Sequence, residues 1–367
     1  MPDDGDAAAT EVVTLPTARG RAREEQLQRF ADQLVRIGES IGFKVSARGW
    51  CYQLEQYRAI NKDQFDLVEG VINDLRRRGL LPVDFVAEES SRDFQGVEVP
   101  EDLSPEEYLA ALLRGALYAH ESFTPDWWND EEYYIQMVVE KVDLKTLFGP
   151  VCAEYHIPIA TAKGWSSILQ RAIYTRRFKE AEEKGLKCAL LYCGDHDPDG
   201  VRISGFLRSN IEEISGVRWE DGTEGYDPSD LEVFRFGLNF DFIQANHLTW
   251  IDNLHTGAQY PCPVCKRPKR LDDPHHPNHN MEYVQEYIRT IGIRKCEANA
   301  LVVRAPQARE LCRGAIERFL GRDAKDRFAS KREAVARKLR ALDRKTGYRK
   351  AVQKVINEAD TEGVGDE

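Results

Sequence analysis

The sequence predicts a mixed α/β protein, in which a helical N-terminal domain precedes an α/β domain with helices around a mostly parallel sheet. Apolar residues recur at three- and four-residue spacing from Glu24 to about Arg92, as in amphipathic helices. From residue 133 onward, short apolar runs alternate with helical segments, the pattern of a parallel sheet covered by helices. The chain has 367 residues, of which 42% are hydrophobic, and can therefore bury a large core divided among several domains.

Composition favours a soluble protein of the cytoplasm. No apolar run of 18 residues is present, and the N-terminus has neither the basic start nor the apolar core of a signal peptide. The eight cysteines are spread along the chain and do not resemble a small disulfide framework. We therefore expect reduced thiols and no membrane partner.

The N-terminal third of the chain divides into three segments. Residues 1–23 are polar, alanine-rich and contain proline, so we expect a disordered tail. Residues 24–95 contain three helical stretches, with Gly79 as the stop signal of the third, followed by "LLPVDFVAEE". This order indicates a winged helix, which by pattern alone fits a packing module as well as a DNA-binding domain. Residues 96–132 are predicted to be an acidic linker followed by a helix.

Residues 133–320 are predicted to form the α/β domain, in which acidic residues follow two strands. "YYIQMVVEK" predicts a strand ending at Glu140, and "KCALLYCGDHDPDG" a strand ending at Asp195, Asp197 and Asp199. Functional groups gather at the carboxyl ends of parallel strands, and crowded carboxylates repel one another unless a cation neutralises them. Mg²⁺ prefers carboxylate oxygens and water, so this edge is a candidate magnesium site.

The alternative for these acids is purely structural. They would then form a polar turn that Lys141 and Arg202 neutralise.

Several short motifs in this region resemble one family. "VEKVDLKTLF", "TAKGWSS" and "GDHDPDGVRI" occur in the order found in the Toprim domain of the topoisomerase VI A subunit and of its relative, the meiotic double-strand-break transesterase. "KCEANAL" resembles the late strand of that domain, with Glu297 at its acidic position. The resemblance runs from Glu24 to Leu320 but is tight only in these motifs. It implies a winged helix before a Toprim domain, with Glu140 and the paired aspartates as ligands of Mg²⁺ or Mn²⁺.

In that motif the paired aspartates correspond to Asp195 and Asp197, whereas Asp199 falls at a variable position and is an additional magnesium candidate. The stretch "SARGWCYQL" also resembles the context of the family's nucleophilic tyrosine, with Arg48 four residues before Tyr52. On a helix that spacing puts both on one face, where the guanidinium could hold a phosphate beside the phenol. The alternative is that Tyr52 and Trp50 are core aromatics of the helical domain.

The resemblance implies an enzyme of the type IIB topoisomerase class, an isomerase that breaks DNA strands by transesterification. Tyr52 would form a 5′-phosphotyrosyl bond to duplex DNA with the assistance of the metal. The family works as a homodimer whose protomers exchange tyrosine and metal, so that two protomers cut two strands. No G-x-x-x-x-G-K-[ST] loop is present, so an ATPase partner subunit would have to drive strand passage. In a prokaryote such a protein would be nucleoid-associated.

Two other functions stay open from the sequence. One is a Toprim endonuclease in which a metal-activated water attacks DNA, and the winged helix only binds it. The other is a non-catalytic DNA-binding subunit of a larger complex.

Residues 260–280 contain a candidate zinc site within the α/β domain. Cys262 and Cys265 form a C-x₂-C pair, and His276 and His279 form an H-x₂-H pair after a short gap. Two thiolates and two imidazoles satisfy tetrahedral Zn²⁺, which would stabilise an insertion and take no part in the chemistry. The alternative is a proline-rich loop with incidental histidines.

Charge is distributed unevenly. The net charge of −11 argues against nucleic acid, yet the basic helical C-terminal tail, residues 321–367, contains 13 basic and 4 acidic residues between Arg322 and Lys354. This tail is either a solvated helix or a DNA-backbone contact. Local basic clusters add five further candidate DNA contacts: Arg76, Arg77, Arg78, Arg176 and Arg177.

Overall fold

The computed structural model describes residues 13–17, 20–82, 84–87, 103–162, 168–255, 262, 264–267 and 270–362. The described residues form two compact units, one within 1–88 and 132–319, the other within 89–131 and 320–367. The predicted mixed α/β class is confirmed, because the helices accompany a four-stranded, all-parallel sheet. The predicted helical N-terminal domain and the α/β domain thus belong to one unit, and the predicted linker helix shares the other unit with the C-terminal helices.

The N-terminal part of the first unit consists of three helices: α1 (Arg21–Ile41), α2 (Ala47–Gln56) and α3 (Phe65–Arg77), with a 3₁₀ turn at Lys62–Gln64 before α3. The Ser46 hydroxyl caps α2 by accepting a hydrogen bond from the Gly49 amide at 3.0 Å. The apolar stripes face inward and leave Phe30, Trp50 and Ile72 almost wholly buried. Beyond α3, Gly79 has a φ of 72°, the left-handed geometry expected of the predicted helix stop.

Both ends of this helical region differ in detail from the sequence-based expectation. In the predicted disordered tail, residues 1–12, 18 and 19 lie outside the described part, whereas Val13 and Leu15 are buried and α1 already begins at Arg21. After α3, Ala87 pairs with Ser46 in an isolated parallel bridge. Within the described residues 78–82 and 84–87 this is the one β pairing, so the winged form of the helical region stays a prediction.

The sheet contains β1 (Tyr133–Val139), β2 (Ile159–Thr161), β3 (Lys187–Cys193) and β4 (Glu232–Gly237) in the order β2-β1-β3-β4. The crossovers carry α6 (Val142–Glu154), α7 (Ile168–Glu183), α8 (Pro198–Val201) and α9 (Ile203–Glu212). β1 and β3 are buried along almost their whole length, as continuous apolar runs require in a parallel sheet. The "KG" turn of the family resemblance, residues 163–164, lies outside the described residues.

The strand order reverses between β1 and β3, and this reversal positions the candidate site. The chain passes from β1 to β2 on one side of β1, and then from β2 to β3 on the other side of β1. The connections that follow β1 and β3 therefore lead away from each other. Val139 and Cys193 are paired at the carboxyl ends of β1 and β3. In an open parallel sheet, the crevice at such a reversal is where ligands bind. The residues just after these two strands are therefore neighbours.

The remainder of the first unit contains α10 (Phe240–Ala245), α11 (Glu282–Thr290), a 3₁₀ helix at Ala298–Arg304 and α12 (Ala305–Leu320). The predicted late strand in "KCEANAL" is wrong. Lys295 and Cys296 form only isolated antiparallel bridges with Ile251 and His196, and the chain turns into the 3₁₀ helix directly after Glu297. The run is buried, but a short buried apolar run does not distinguish strand from helix.

The second unit is helical, with α4 (Pro105–Leu117), α5 (Ala119–Ser122), α13 (Ala324–Thr346) and α14 (Tyr348–Glu362). Ala110 and Leu117 of α4 bury against Ile356 of α14, which joins the predicted linker helix to the basic tail. Glu131, with 3% of its side chain exposed, binds Arg327 at 2.6 Å and Lys331 at 3.2 Å. The basic tail is thus part of a packed unit. Across the described ranges, no helix combines the length and the apolar character needed to cross a membrane.

Candidate active site at the strand ends

Three of the predicted magnesium ligands meet at the carboxyl ends of β1 and β3. Glu140 continues the ladder, its amide donating to the Cys193 carbonyl at 2.9 Å, and its Oε2 accepts the Asp195 amide at 2.7 Å. Asp195 is 7% exposed, and its Oδ1 accepts the Ala298 amide at 2.8 Å. Asp197 caps α8 by accepting the Gly200 amide at 2.6 Å. The backbone therefore orients each carboxylate before any ligand binds.

Glycine is required within this acidic loop. A Cβ on Gly200 would overlap the Asp195 carbonyl oxygen. The loop after β3 can therefore fold back tightly enough to bring both aspartates to the same edge of the sheet.

Lys141 is the cation that stands among these acids. Its Nζ lies 3.0 Å from Glu140 Oε1, 3.2 Å from Asp195 Oδ2 and 3.9 Å from Glu297 Oε2. Burial lowers the pKa of Lys141, but the charges of Asp195, Glu140 and Glu297 outweigh that effect and raise the pKa above its usual value. Lys141 therefore stays protonated and neutralises part of the acidic cluster.

Glu297, which only the family resemblance indicated, lies at the same edge and is surrounded by lysines. Its side chain is 4% exposed, forms an ion pair with Lys62, and lies 3.2 Å from Lys295. Burial raises the pKa of Glu297, but Lys295, Lys62 and Lys141 together lower it to well below the usual range. Burial and the nearby charge of Glu140 have the opposite effect on Asp195, whose pKa is raised.

The helix α2 is packed directly against this part of the same unit. The Ser46 amide donates to Asp143 Oδ1 at 3.1 Å, and Gln53 Nε2 donates to the Asn299 carbonyl at 3.2 Å. A Cβ on Gly49 would overlap the Asp143 carboxylate, so the close approach of α2 requires glycine there. Tyr52 is carried by this helix and is therefore positioned by the same contacts.

Tyr52 lines a cavity of about 910 Å³ together with Arg48 and all four predicted magnesium ligands: Glu140, Asp195, Asp197 and Asp199. Its ring packs edge-on against Phe65 at a centroid distance of 5.1 Å. Burial raises the pKa of Tyr52 to about 12, and the charges of Glu297 and Asp195 add to the effect, while Lys141 and Arg48 oppose it. The structure brings the candidate nucleophile and the acids of one chain into one cavity.

Trp50 and Tyr52 have different environments, and these bear on whether each residue is a core aromatic or a candidate for the reaction. Trp50 is 1% exposed and stacks on Phe85 with centroids 5.1 Å apart, so it is a core aromatic. Tyr52 is half-buried and faces the cavity. A purely structural role therefore describes Trp50 better than Tyr52.

Arg48 lines the cavity but is already paired. It lies 3.2 Å from Asp66 and 2.9 Å from Glu69, and its guanidinium stands over the Phe65 ring at 4.9 Å. About half of the side chain, 54%, stays exposed. The guanidinium therefore retains access to an anion entering the cavity.

The structure separates the roles of Asp199 and Arg202 from those of the inner acids. Asp199 Oδ1 accepts a hydrogen bond from the Tyr283 hydroxyl at 2.9 Å. The Arg202 guanidinium stacks over the Tyr283 ring at 4.3 Å. Of the two cations expected to neutralise the acids in a structural turn, Lys141 does so, whereas Arg202 supports the ring that holds Asp199.

The five further candidate DNA contacts lie away from the described lining of this cavity. Arg77 and Arg177 are exposed, and Arg76 donates to Asn73 Oδ1 at 3.0 Å. Arg78 pairs with Glu24 at 2.9 Å, and Arg176 pairs with Asp221 at 2.7 Å. Three of the five are thus engaged with groups on the protein, so Arg77 and Arg177 are the more accessible candidates.

The candidate zinc segment is only partly described, because residues 256–261, 263, 268 and 269 fall outside the description. Cys262 Sγ accepts the amides of Val264 and Cys265 at 3.4 Å, the turn geometry that suits a thiolate. His279 Nδ1 contacts the Leu271 carbonyl at 2.9 Å, and His276 is buried. The zinc site stays a prediction.

Some residues of the site carried no sequence signal. Lys62 and Glu55 line the cavity, although each is an isolated charge without a motif, and Lys295 lines it from a motif in which only Glu297 was singled out. Arg235 is half-buried beneath the acidic loop, where it donates to the carbonyls of Asp195 and Gly200, each at 2.9 Å. They come together only through packing of distant segments, which no local pattern records.

The donor chemistry of the acidic cluster suits Mg²⁺ or Mn²⁺, because its ligands are carboxylate oxygens and Lys141 already stands in for a cation between two of them. In the part of the chain that the structure describes, no group of three or more His, Cys, Asp or Glu side chains is arranged to hold a metal ion. Binding of a divalent ion would therefore require Lys141 or a carboxylate to move.

Comparison of the chain with protein-family models, with curated proteins and with solved structures finds no match in any of the three.

Proposed function

We propose that this chain is a DNA-cleaving transesterase that resembles the topoisomerase VI A subunit and attacks a phosphodiester with Tyr52. The observation that carries the proposal is that Tyr52 lines one cavity with Glu140, Asp195 and Asp197. A phenol facing a buried acidic cluster is expected of a transesterase and has no evident purpose in a packing module.

The walls of the cavity suit a phosphodiester. Arg48, Lys62, Lys141 and Lys295 all contribute to the lining, among seven acidic residues, so an anionic backbone would meet these cations near the phenol once a divalent ion offsets the excess of carboxylates. Arg48 presents a planar fork of donors, which fits two phosphate oxygens, and the lysines act as point charges. These contacts would hold the phosphorus within reach of the Tyr52 oxygen.

The reaction exchanges one ester for another. The Tyr52 oxygen forms a bond to phosphorus while the bond from phosphorus to the 3′ oxygen breaks, leaving a 5′-phosphotyrosyl bond and a free 3′-hydroxyl. Because the same number of ester bonds is present before and after, the 3′-hydroxyl can reverse the step and reseal the strand. Glu140, Asp195 and Asp197 would hold Mg²⁺ or Mn²⁺, which when bound offsets negative charge on the leaving oxygen.

The arrangement within one chain distinguishes this proposal from the family pattern. In the resemblance, the tyrosine of one protomer meets the metal of the other. Here Lys62, ten residues after Tyr52 in sequence, pairs with Glu297 of the same chain. We therefore propose that each chain carries a complete site and breaks one strand, with a homodimer needed only for a double-strand break.

Trapping of the covalent product tests the proposal. Protein is incubated with end-labelled duplex DNA and Mg²⁺ or Mn²⁺, denatured, and examined for DNA that migrates with protein. We expect an adduct from the wild type and none from Tyr52→Phe. Tyr57→Phe is the matched control, because Tyr57 is a half-buried tyrosine at the end of the same helix but outside the described cavity lining.

Other outcomes support the alternative functions. Cleavage by Tyr52→Phe at the wild-type rate, without an adduct, would favour a metal-dependent endonuclease that uses water. DNA binding without cleavage, unchanged in Asp195→Asn and Asp197→Asn, would favour a non-catalytic subunit. A requirement for an added ATPase subunit would indicate that the chain works within a larger topoisomerase.

A further inference from the structure

Glu55 is a buried carboxyl group that shares the cavity with Tyr52. It lies on α2, three residues after Tyr52, a spacing that puts both side chains on one face of the helix. Only 9% of the residue is exposed, and both residues contribute to the lining of the same cavity. The Glu55 carboxyl group therefore lies on the same side of α2 as the Tyr52 hydroxyl and faces the same cavity.

The carboxyl group of Glu55 differs from the buried carboxylates of Glu140, Asp195 and Glu297 in having an oxygen without a hydrogen-bond partner in the described part of the chain. Its Oε2 is buried and has no hydrogen-bond partner among the described residues. Glu140, Asp195 and Glu297 instead bind backbone amides or lysines. A buried oxygen without a partner costs free energy, so its retention beside the cavity calls for a ligand or a reacting group.

The surroundings of Glu55 hold its pKa in the range that suits proton transfer. Burial raises the pKa to about 7, Glu297 adds to the increase, and the ammonium groups of Lys62 and Lys295 oppose it. These are the charged groups that face it from the 3₁₀ turn before α3 and from the segment before Ala298. A base with a pKa near neutrality is half deprotonated under ordinary conditions and still accepts a proton readily.

We propose that Glu55 is the general base that removes the hydroxyl proton of Tyr52 as the phenolic oxygen attacks phosphorus. This inference rests on the transesterase function proposed above and adds a catalytic residue to it.

The step balances in atoms and charge. The O–H bond of Tyr52 breaks and its proton moves to the Glu55 carboxylate through one water, because the two side chains share the cavity but no hydrogen bond joins them among the described residues. The phenolic oxygen uses the released electron pair to bond to phosphorus. The bond from phosphorus to the 3′ oxygen breaks, and that oxygen takes a proton from water, which leaves a hydroxide ion. In resealing, the 3′-hydroxyl gives its proton to hydroxide as its oxygen attacks phosphorus, and Glu55 returns its proton to the phenolic oxygen as the phosphotyrosyl bond breaks.

A base is needed because the phenol is weakly acidic in this site. The pKa of Tyr52 is raised to about 12, so very little phenolate is present at neutral pH. Arg48 and Lys141 lower that pKa only in part. Proton transfer to a positioned base during attack avoids forming the free phenolate.

The test measures single-turnover adduct formation in Glu55→Gln, which keeps the size of the side chain and removes its basicity. We expect the rate to fall by about 10²- to 10⁴-fold, the range for loss of a general base. The wild-type rate should increase with pH through an inflection near 7, and this inflection should be absent from Glu55→Gln. An unchanged rate, or an unchanged inflection, would overturn the assignment.

Asp63→Asn is the matched control for charge. Asp63 is an exposed acid in the lining of the same cavity, so this variant removes one negative charge without removing the proposed base. A decrease in Asp63→Asn as large as that in Glu55→Gln would show that charge alone explains the effect, and the proposal would fail. Circular dichroism of both variants checks that each is folded.

A modified substrate distinguishes whether Glu55 takes a proton from the Tyr52 oxygen or gives one to the 3′ leaving oxygen. In DNA with a bridging sulfur at the 3′ position of the scissile phosphate, the leaving thiolate needs no proton. If Glu55 acts on Tyr52, the defect of Glu55→Gln persists with this substrate; restoration of the rate would make Glu55 the acid for the leaving group and overturn the proposal. Failure of the transesterase function itself would be seen separately, as DNA cleavage by the wild type without any covalent adduct.

Discussion

The acidic cluster and the cysteine–histidine segment were both expected to bind metals. The structure joins residues of the first through hydrogen bonds and an ion pair, and it describes the second only in part. Glu140 and Asp195 are 55 positions apart, yet an amide hydrogen bond of 2.7 Å joins them and Lys141 lies between them. The cysteines and histidines lie within 18 positions of one another, and residues 263, 268 and 269 between them fall outside the described part. Neighbouring parallel strands end at one edge whatever their distance in sequence, whereas close spacing in an irregular loop fixes no geometry.

The largest effect that separates the two regions is expected on DNA cleavage. Asp195→Asn and Asp197→Asn should each reduce adduct formation by about 10²- to 10³-fold, because charge stabilisation at the reacting phosphate is lost. Cys262→Ala and Cys265→Ala should leave the rate close to that of the wild type and release bound zinc, as measured by elemental analysis. If the cysteine variants lost as much cleavage activity as the aspartate variants, the cysteine–histidine segment would also be needed for the reaction, which contradicts its purely stabilising role.

Stability gives the next largest effect. Lys141→Ala leaves Glu140 and Asp195 without their cation, and breaking a buried ion pair costs about 3 kcal/mol. We expect the free energy of unfolding in urea to fall by this amount and to recover in part when Mg²⁺ is added, because the metal would replace the ammonium.

Lys266→Ala, in the cysteine–histidine segment, is the control. It should change stability little and respond to Mg²⁺ as the wild type does. If Mg²⁺ stabilises Lys141→Ala no more than the control, the carboxylates do not form the magnesium site.

Salt dependence tests whether accessible arginines outside the cavity contact DNA. Arg77→Gln and Arg177→Gln together should lower the slope of log affinity against log salt by about 2, since each lost phosphate contact releases about 0.9 fewer counterions. Binding would weaken without a change in sequence preference, because backbone contacts carry no base information. An unaltered slope would leave the cations of the cavity, including Arg48, as the DNA contacts.

The smallest effect concerns the pH dependence of stability. Because the pKa of Glu55 is about 7 in the folded chain and near 4.5 when unfolded, its ionisation destabilises the fold above pH 7 and this penalty disappears below pH 4.5. Glu55→Gln should therefore raise the free energy of unfolding at pH 8 by about 1 kcal/mol, a value reduced for solvent screening. Urea unfolding at pH 8 and pH 4 measures the difference. Equal gains at both pH values would contradict the raised pKa.

The mixed α/β class and the acidic cluster could be predicted because they depend on repeating local patterns. β1 and β3 are continuous apolar runs, and Gly79 marks the end of α3. The spacing of apolar residues and the helix-stop signal were therefore sufficient to predict these elements. The acids follow those strands, and the parallel arrangement then brings them together. Tyr52 was found through a motif that also matched the position of Arg48.

The rest of the site could not be predicted because it depends on contacts between distant segments. Lys62 reaches Glu297 across 235 positions, and Gln53 reaches Asn299 across 246. No local pattern distinguishes Lys62 or Gln53 from other charged or polar groups on helices, and the motif that contains Glu297 and Asn299 does not indicate which residues they contact. Residues 295–301 were expected to be a strand because they resemble the late strand of the family. A short buried apolar run has the same composition in a strand and in a 3₁₀ helix, so composition could not correct this expectation.

The most direct test of a complete site in one chain is complementation between two inactive variants. Tyr52→Phe retains the acids, and Asp195→Asn retains the nucleophile; the two are mixed, allowed to exchange subunits, and assayed for covalent attachment to DNA. If Tyr52 and the acids act within one chain, the mixture forms no more adduct than either variant alone. Recovery of adduct in the mixture would show that tyrosine and acids meet between protomers, and would contradict a complete site within each chain.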